Sequence, residues 1–157
     1  GSGYGPITRP KSSPEGSVYQ AYTIMPGKAL GPLWGGNLSL LAASVGTGYE
    51  PPIKGSLLFI EDIGEDPYRI DRMLTQLRQA WDLRQCAGIA LGVFKGCEAD
   101  PDDRSLTLRE TLTERFADLG VPVAYGFPFG HITDMCTLPM WVRAEMDTQT
   151  KHLRIQI

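Results

Sequence analysis

The sequence lacks the features that mark membrane proteins and nucleic-acid-binding proteins. No apolar run in its 157 residues approaches the roughly 20 needed to span a bilayer, and the first residues do not follow the charged-then-apolar pattern of a signal peptide. The 15 Lys and Arg residues are scattered along the chain, and the net charge is −3. A nucleic-acid partner requires a clustered basic surface. We therefore expect a soluble protein with no membrane partner and no nucleic-acid partner.

Cysteine is scarce, and its spacing does not suit a metal site. The chain has 3 cysteines, Cys86, Cys97 and Cys136, and no two of them form a C-x-x-C pair. An odd number without such a pair argues against a disulfide framework and against a structural zinc site. These cysteines therefore indicate a reducing compartment.

Several common functional motifs are also missing. No G-x-S-x-G nucleophile elbow occurs in the sequence. The glycine-rich segment GPLWGGN (31–37) lacks the Lys and Ser or Thr of a phosphate-binding loop, so we interpret its glycines as letting the backbone approach a ligand or another domain. The acidic run EADPDD (98–103) lacks the glycine and the terminal glutamate of a calcium loop, which indicates a solvated turn.

What remains is an alternation of strand-like and helix-like segments in a chain that is 42% hydrophobic. The Gly-, Pro- and Ser-rich residues 1–16 predict a linker, so we expect the folded domain over residues 17–157. Strands are predicted at 17–25, 56–60, 88–94 and 121–125, with a C-terminal hairpin of 140–146 and 153–157. Helices are predicted after the capping residue Asn37, over 67–81, and from the capping box of Thr107 and Glu110. This order predicts an α/β fold with a parallel core and antiparallel strands added at both ends.

Two side chains that could carry chemistry follow predicted parallel strands. Glu61 closes the run LLFIE, and His131 lies in the loop GFPFGH after the strand 121–125. The carboxyl ends of parallel strands meet at one edge of a sheet, and a carboxylate that accepts from one imidazole nitrogen leaves the other free as a general base. The residue types alone leave a second interpretation open, in which Glu61 is a polar strand edge and His131 is a solvated loop histidine.

Four neighbouring residues are given non-catalytic interpretations. We expect Asp62 to stabilise a turn after the strand or to contact the catalytic groups without meeting substrate. We expect Ser39 to be a surface serine of the first helix. Cys136 could form a nucleophilic pair with His131, but its apolar surroundings favour a small buried hydrophobe. His131 and Asp134 alone do not make a metal site, because two ligands are too few.

Taken together, the motifs resemble a known family. The segments GPLWGGNLSLL, GTGYEPP, SLLFIEDIGEDPYRIDRML, GIALGVF and PVAYGFPFGH occur in the order found in the C-terminal domain of the serine LD-carboxypeptidases. That family also holds the microcin C self-immunity peptidases, and the resemblance runs from about residue 27 to the end. It implies a swivelling β/β/α-like fold.

The resemblance also implies the chemistry. In this family a Ser-His-Glu triad is split between two domains, and the glutamate and histidine fall here on Glu61 and His131. Asn37 matches a substrate-contacting position. The serine belongs to an N-terminal domain that is missing from this chain, so residues 1–16 are expected to be a linker or a remnant of that domain. The chain alone is therefore expected not to hydrolyse peptide.

The activity implied is release of the terminal D-Ala from murein tetrapeptides, at the bond to meso-diaminopimelate, during cytoplasmic cell-wall recycling. No metal and no organic cofactor is implied, and a homodimer is a further implication. Two alternatives stay open: a peptidase of microcin C type, which acts on a peptidyl or aminoacyl nucleotide, and a non-catalytic swivelling binding domain. The non-catalytic alternative differs from the catalytic ones in whether Glu61 and His131 come within hydrogen-bond distance, about 3 Å.

Overall fold

The computed structural model describes residue 7, residues 18–102 and residues 104–156. In chain order its elements are β1 (Tyr22–Met25), β2 (Lys28–Asn37), α1 (Leu38–Ser44), β3 (Leu57–Ile63), α2 (Pro67–Ala80), a short 3-10 helix (Leu83–Gln85), β4 (Gly88–Lys95), α3 (Leu108–Phe116), β5 (Val123–Tyr125), β6 (Arg143–Asp147) and β7 (His152–Ile155). The strands form one 7-stranded sheet in the order β1-β5-β4-β3-β2-β6-β7.

The sheet has the mixed α/β arrangement that the sequence predicts. Strands β2, β3, β4 and β5 are parallel to one another. At one edge β1 runs antiparallel to β5, and at the other β6 and β7 form an antiparallel hairpin beside β2. The predicted parallel core with antiparallel strands at both ends is therefore confirmed.

Two hydrophobic cores lie on opposite faces of this sheet, which explains why β3 is apolar without alternation. Along β3, Leu58 and Ile60 belong to the core beneath the three helices, whereas Leu57 and Phe59 belong to the core on the other face. That second core is closed by Phe127 and Phe129 together with the hairpin of β6 and β7. Because a central parallel strand is covered on both faces, its side chains reach water only at the ends of the strand, and its sequence is apolar throughout.

The glycine-rich segment 31–37 corrects one expectation. It lies inside the 10-residue strand β2, which pairs with both β3 and β6, and not in a separate loop. Its glycines do allow close backbone approach, but to neighbouring strands of the same chain: a Cβ on Gly31 would overlap the Gly55 carbonyl oxygen, and a Cβ on Gly35 would overlap that of Phe59. The low strand propensity of Gly and Pro hides this strand from a sequence-based prediction.

Smaller differences concern the ends of elements. Strand β3 extends to Ile63, so the acidic pair lies within the strand and not in a turn after it. The hairpin strand β6 begins at Arg143, later than predicted. Of the predicted linker 1–16, Ile7 donates its backbone N–H to the Leu153 carbonyl at 2.6 Å, and the other residues lie outside the described part of the chain.

The predicted helix starts are confirmed. Asn37 accepts the Leu40 N–H at the start of α1, and Thr107 with Glu110 forms the capping box of α3. Each cap satisfies backbone donors that have no partner within the helix. Within the described ranges 18–102 and 104–156, no helix has the length and apolar composition needed to cross a membrane.

The two adjacent glycines of β2 give a matched test of this packing. Gly35 has φ +149° and its Cβ position is occupied by the backbone of β3, whereas a Cβ on Gly36 would meet nothing within 4 Å. We expect Gly35→Ala to lower the free energy of unfolding by about 2 kcal/mol or more, because both the strain and the overlap must be relieved. Gly36→Ala is expected to change it by less than about 1 kcal/mol. Urea denaturation of the two variants checks this, and equal effects would contradict the described path of β2.

Candidate active site

Glu61 lies at the end of β3, where the neighbouring strand is irregular. Glu61 pairs with Asn37 on β2. On its other side the register with β4 shifts: Ile60 pairs with Leu91 and Asp62 with Phe94, so β4 has one additional residue here and forms a β-bulge. Such a bulge bends its strand and redirects groups near a strand end. Glu61 is 8% exposed, which is low for a carboxylate.

The loop after β5 is fastened to β4 at this bulge. The Gly126 and Phe127 N–H groups both donate to the Leu91 carbonyl, at 2.9 and 3.1 Å, and the Val93 N–H donates to the Phe129 carbonyl at 3.0 Å. The Phe129 ring occupies the space that a side chain on Gly92 would need. The extra residue of β4 therefore frees the Val93 N–H to bind the Phe129 carbonyl, and this bond holds the loop close to the end of β3.

Gly130 completes this approach. Its φ is +115°, and a Cβ there would lie 2.8 Å from the Val93 carbonyl oxygen and 3.2 Å from Glu61 Oε2. Only glycine combines this backbone conformation with so close a contact. The next residue, His131, consequently has its ring beside the glutamate.

The two side chains form a hydrogen bond. His131 Nδ1 lies 2.8 Å from Glu61 Oε2. The glutamate side chain is 11% exposed and that of the histidine 50%, so the carboxylate is nearly enclosed while the imidazole extends toward solvent. A buried carboxylate that accepts from Nδ1 fixes the tautomer in which Nε2 carries the lone pair. This geometry suits a general base.

Asp62 points to the other face of β3 and has a different set of partners. It is 2% exposed, and it accepts from Asn37 Nδ2 at 3.0 Å, from the Ser39 N–H at 3.0 Å, from Ser39 Oγ at 2.9 Å and from the Ile63 N–H at 2.8 Å. The prediction of Ser39 as a plain surface serine is therefore wrong, because its hydroxyl donates to this buried carboxylate. Asp62 itself lies in the strand and not in a turn.

The remaining sequence candidates show no catalytic arrangement. Cys136 is half-buried, its N–H donates to the Pro128 carbonyl at 2.7 Å, and burial raises the pKa of its thiol, which disfavours the reactive thiolate. Over the ranges that the structure describes, no three His, Cys, Asp or Glu side chains are grouped to hold a metal ion.

Sequence reasoning missed how these residues are held in place. Neither the bulge of β4 nor the contact of Asp62 with Asn37 was expected. The bulge has a signal, since Gly92 interrupts the apolar run GIALGVF, and an isolated glycine within a strand often marks a bulge or a close approach. The contact of Asp62 has none, because it depends on two strands lying side by side.

Comparison with known sequences identifies the class of protein. The sequence profile described as LD-carboxypeptidase C-terminal domain matches residues 30–146, and the chain belongs to this family. The resemblance noted from the motifs is therefore confirmed. The catalytic roles of Glu61 and His131, and substrate contact by Asn37, stay predictions at this point.

Relatives of known sequence are similar over most of this chain. It is 43% identical over 133 residues to a probable murein peptide carboxypeptidase of Bacillus subtilis, covering 85% of this chain and 42% of that protein. It is 41% identical over 103 residues to the murein tetrapeptide carboxypeptidase of Pseudomonas aeruginosa, covering 64% of this chain and 33% of the relative. The chain thus spans less than half the length of these relatives.

Solved structures agree with the fold. The muramoyltetrapeptide carboxypeptidase of Oxalobacter formigenes matches with a TM-score of 0.74 at 35% identity, over 86% of this chain and 47% of the other. The microcin C7 self-immunity protein MccF matches with a TM-score of 0.76 at 28% identity, over 88% of this chain and 41% of the other.

The hydrogen bond at His131 predicts a measurable tautomer. We expect the imidazole of His131 to carry its proton on Nδ1 when neutral, since Glu61 accepts there, and ring ¹⁵N chemical shifts report this directly. Glu61→Leu removes the acceptor and should return His131 to the mixture typical of a free histidine. His152, the only other histidine, serves as the internal control and should not respond. A wild-type His131 with its proton mainly on Nε2 would contradict the described contact.

Proposed function

We propose that this chain supplies the histidine and the glutamate of a split Ser-His-Glu triad in a serine LD-carboxypeptidase. The substrate is a murein tetrapeptide, and the reaction releases its terminal D-Ala from meso-diaminopimelate in cytoplasmic cell-wall recycling. The observation that carries the proposal is the hydrogen bond of 2.8 Å between His131 Nδ1 and the enclosed Glu61 carboxylate. The murein carboxypeptidases among the relatives support the substrate class.

The roles follow from the two nitrogens of the imidazole. His131 Nε2 takes the proton of the serine hydroxyl as that oxygen attacks the carbonyl carbon of meso-diaminopimelate. The same proton then passes to the amine of the departing D-Ala, and a water molecule activated by His131 later hydrolyses the acyl-enzyme. Glu61 holds Nδ1–H throughout and stabilises the imidazolium, which would be costly beside an apolar strand end without a carboxylate partner.

The nucleophile and the oxyanion hole come from an N-terminal domain in this proposal. The chain covers 42% of the Bacillus relative and 33% of the Pseudomonas relative, which leaves room for such a domain in the whole protein. The half-exposed imidazole supports the same division, since a group from another domain can still reach the ring while Glu61 holds Nδ1. The chemistry needs neither a metal nor an organic cofactor.

A peptidase of microcin C type is the second candidate, and one observation favours it: the MccF fold matches with a TM-score of 0.76. The higher sequence identities, 43% and 41%, are to murein carboxypeptidases, which is why we prefer the first. A non-catalytic binding domain would not need a loop glycine packed closely against Glu61, nor a carboxylate enclosed beside a histidine.

The split triad predicts that activity belongs to the whole protein. We expect the 157-residue chain to release no D-Ala from a murein tetrapeptide, because it carries the base without its nucleophile. The full-length protein should release D-Ala, measured with a D-amino acid oxidase assay. Turnover by the isolated chain with Glu61 and His131 intact would refute the division of the triad.

Substitutions in the full-length protein test the two roles separately. His131→Ala should lower kcat by about 10³- to 10⁴-fold, and Glu61→Gln by about 10²- to 10⁴-fold, because the first removes the base and the second removes the partner that orients it. His152→Ala, on the distant strand β7, is the matched control and should retain activity. Circular dichroism should show that all three variants fold. If the activity of folded Glu61→Gln matches that of the wild type, Glu61 has no orienting role.

A further inference from the structure

We infer that Asp62 is a positioning residue for the reaction proposed above: it fixes the side-chain amide of Asn37, so that one N–H of that amide is presented to substrate beside Glu61. The inference rests on the proposed function, and it gives a task to a buried carboxylate that the triad does not use. Asp62 acts through Asn37 and does not itself touch substrate.

The burial of Asp62 needs an explanation. It is 2% exposed, and among residues 18–102 and 104–156 no Lys, Arg or His forms an ion pair with it. An unpaired carboxylate is costly to bury unless its oxygens accept several hydrogen bonds. Asn37 Nδ2 and the Ile63 N–H donate to Oδ1, and both donors of Ser39 donate to Oδ2. Each oxygen thus accepts two bonds, so the carboxylate is satisfied only in this orientation.

These bonds determine the orientation of the Asn37 amide. Its Nδ2 donates to Asp62 Oδ1 at 3.0 Å, and its Oδ1 accepts the Leu40 N–H at 3.2 Å. A 180° flip of the amide would set its oxygen against the carboxylate and its NH₂ group against the helix N–H, which loses both bonds. The amide is therefore held from both sides, and one Nδ2 hydrogen remains beyond these two contacts.

The position of Asn37 makes that hydrogen useful. Asn37 pairs directly with Glu61 across β2 and β3, so its side chain lies one strand away from the histidine partner. Asn37 is half-buried and is the last residue of β2, so it lies at the carboxyl edge of the parallel strands, the same edge that carries Glu61. An amide N–H held at this edge suits a carbonyl or carboxylate oxygen of a peptide substrate.

The strand itself divides the two acids. Successive side chains of β3 point to opposite faces, so Glu61 turns toward His131 while Asp62 turns toward the start of α1. One dipeptide thereby supports two parts of the site: Glu61 orients the base, and Asp62 orients the donor on the next strand. A substitution of Asp62 that kept the fold but lost the contact with Asn37 Nδ2 would leave the triad intact. The Asn37 amide, however, would then be free to rotate.

A double-mutant cycle in the full-length protein tests the inference. Asn37→Ser keeps a helix-capping oxygen but removes the Nδ2 donor, and Asp62→Asn cannot satisfy both pairs of donors. We expect each single variant to lower kcat/KM for a murein tetrapeptide about tenfold. The double variant should fall no further than either single one, which corresponds to a coupling free energy of about 1.4 kcal/mol.

Ser44→Ala is the matched control. It removes a serine hydroxyl from α1, the helix that Asn37 caps, but that hydroxyl donates to the Leu41 carbonyl, so the contact of Asp62 Oδ1 with Asn37 stays in place and kcat/KM should change less than twofold. Equal factors for Asp62→Asn in the wild-type and the Asn37→Ser backgrounds would overturn the inference, as would an Asn37→Ser variant with unchanged kcat/KM. An inactive wild-type protein would instead contradict the proposed function itself.

A second measurement applies if Asp62→Asn does not fold. In full-length protein with its nucleophile replaced by alanine, the Asn37 side-chain amide resonances are identified by their loss in Asn37→Ser. Binding of the tetrapeptide should shift these resonances, because the free Nδ2 hydrogen gains an acceptor. Resonances that stay unshifted at saturating tetrapeptide, while those of His131 move, would also overturn the inference.

Discussion

The site depends on one irregularity in the sheet, the extra residue of β4 opposite Glu61. Without it, the Val93 N–H would continue the ladder with a neighbouring strand and could not donate to the Phe129 carbonyl in the loop after β5. With it, Phe129 lies over Gly92, Gly130 contacts the Glu61 side chain, and His131 follows at hydrogen-bond distance. A local break in strand pairing thus converts the end of a buried strand into a pair of functional groups.

The same strand end shows how a sheet can hold two adjacent carboxylates and give each its own partners. Alternation sends Glu61 to one face and Asp62 to the other, where each finds its own donors. Glu61 has an ionisable partner and Asp62 has only neutral ones, which suits an acid that supports a proton-transferring base and an acid that fixes structure. Both carboxylates are nearly enclosed, at 8% exposure for Glu61 and 2% for Asp62.

Membership in the LD-carboxypeptidase C-terminal domain family gives this geometry a chemical context. A site shared between two domains requires groups that are already oriented at the rim of each domain, because neither domain carries the complete site. His131 fits this requirement, since its side chain is 50% exposed while Glu61 holds its Nδ1. In our proposal the chain contributes preorganisation: an oriented base and an oriented donor, both held by buried carboxylates. The bond-forming step then requires the nucleophile of the proposed N-terminal domain.

The sequence by itself determined the α/β class, the helix caps at Asn37 and Thr107, and the two candidates Glu61 and His131. These features follow from local periodicity, from capping chemistry and from the order of the motifs, all of which can be read from the sequence without the tertiary structure. Tertiary structure alone decided that the segment 31–37 is a strand, because glycines pack there against neighbouring backbones and not by propensity. It also decided the bulge of β4 and the contact of Asp62 with Asn37, since both arise only when separate strands meet in register.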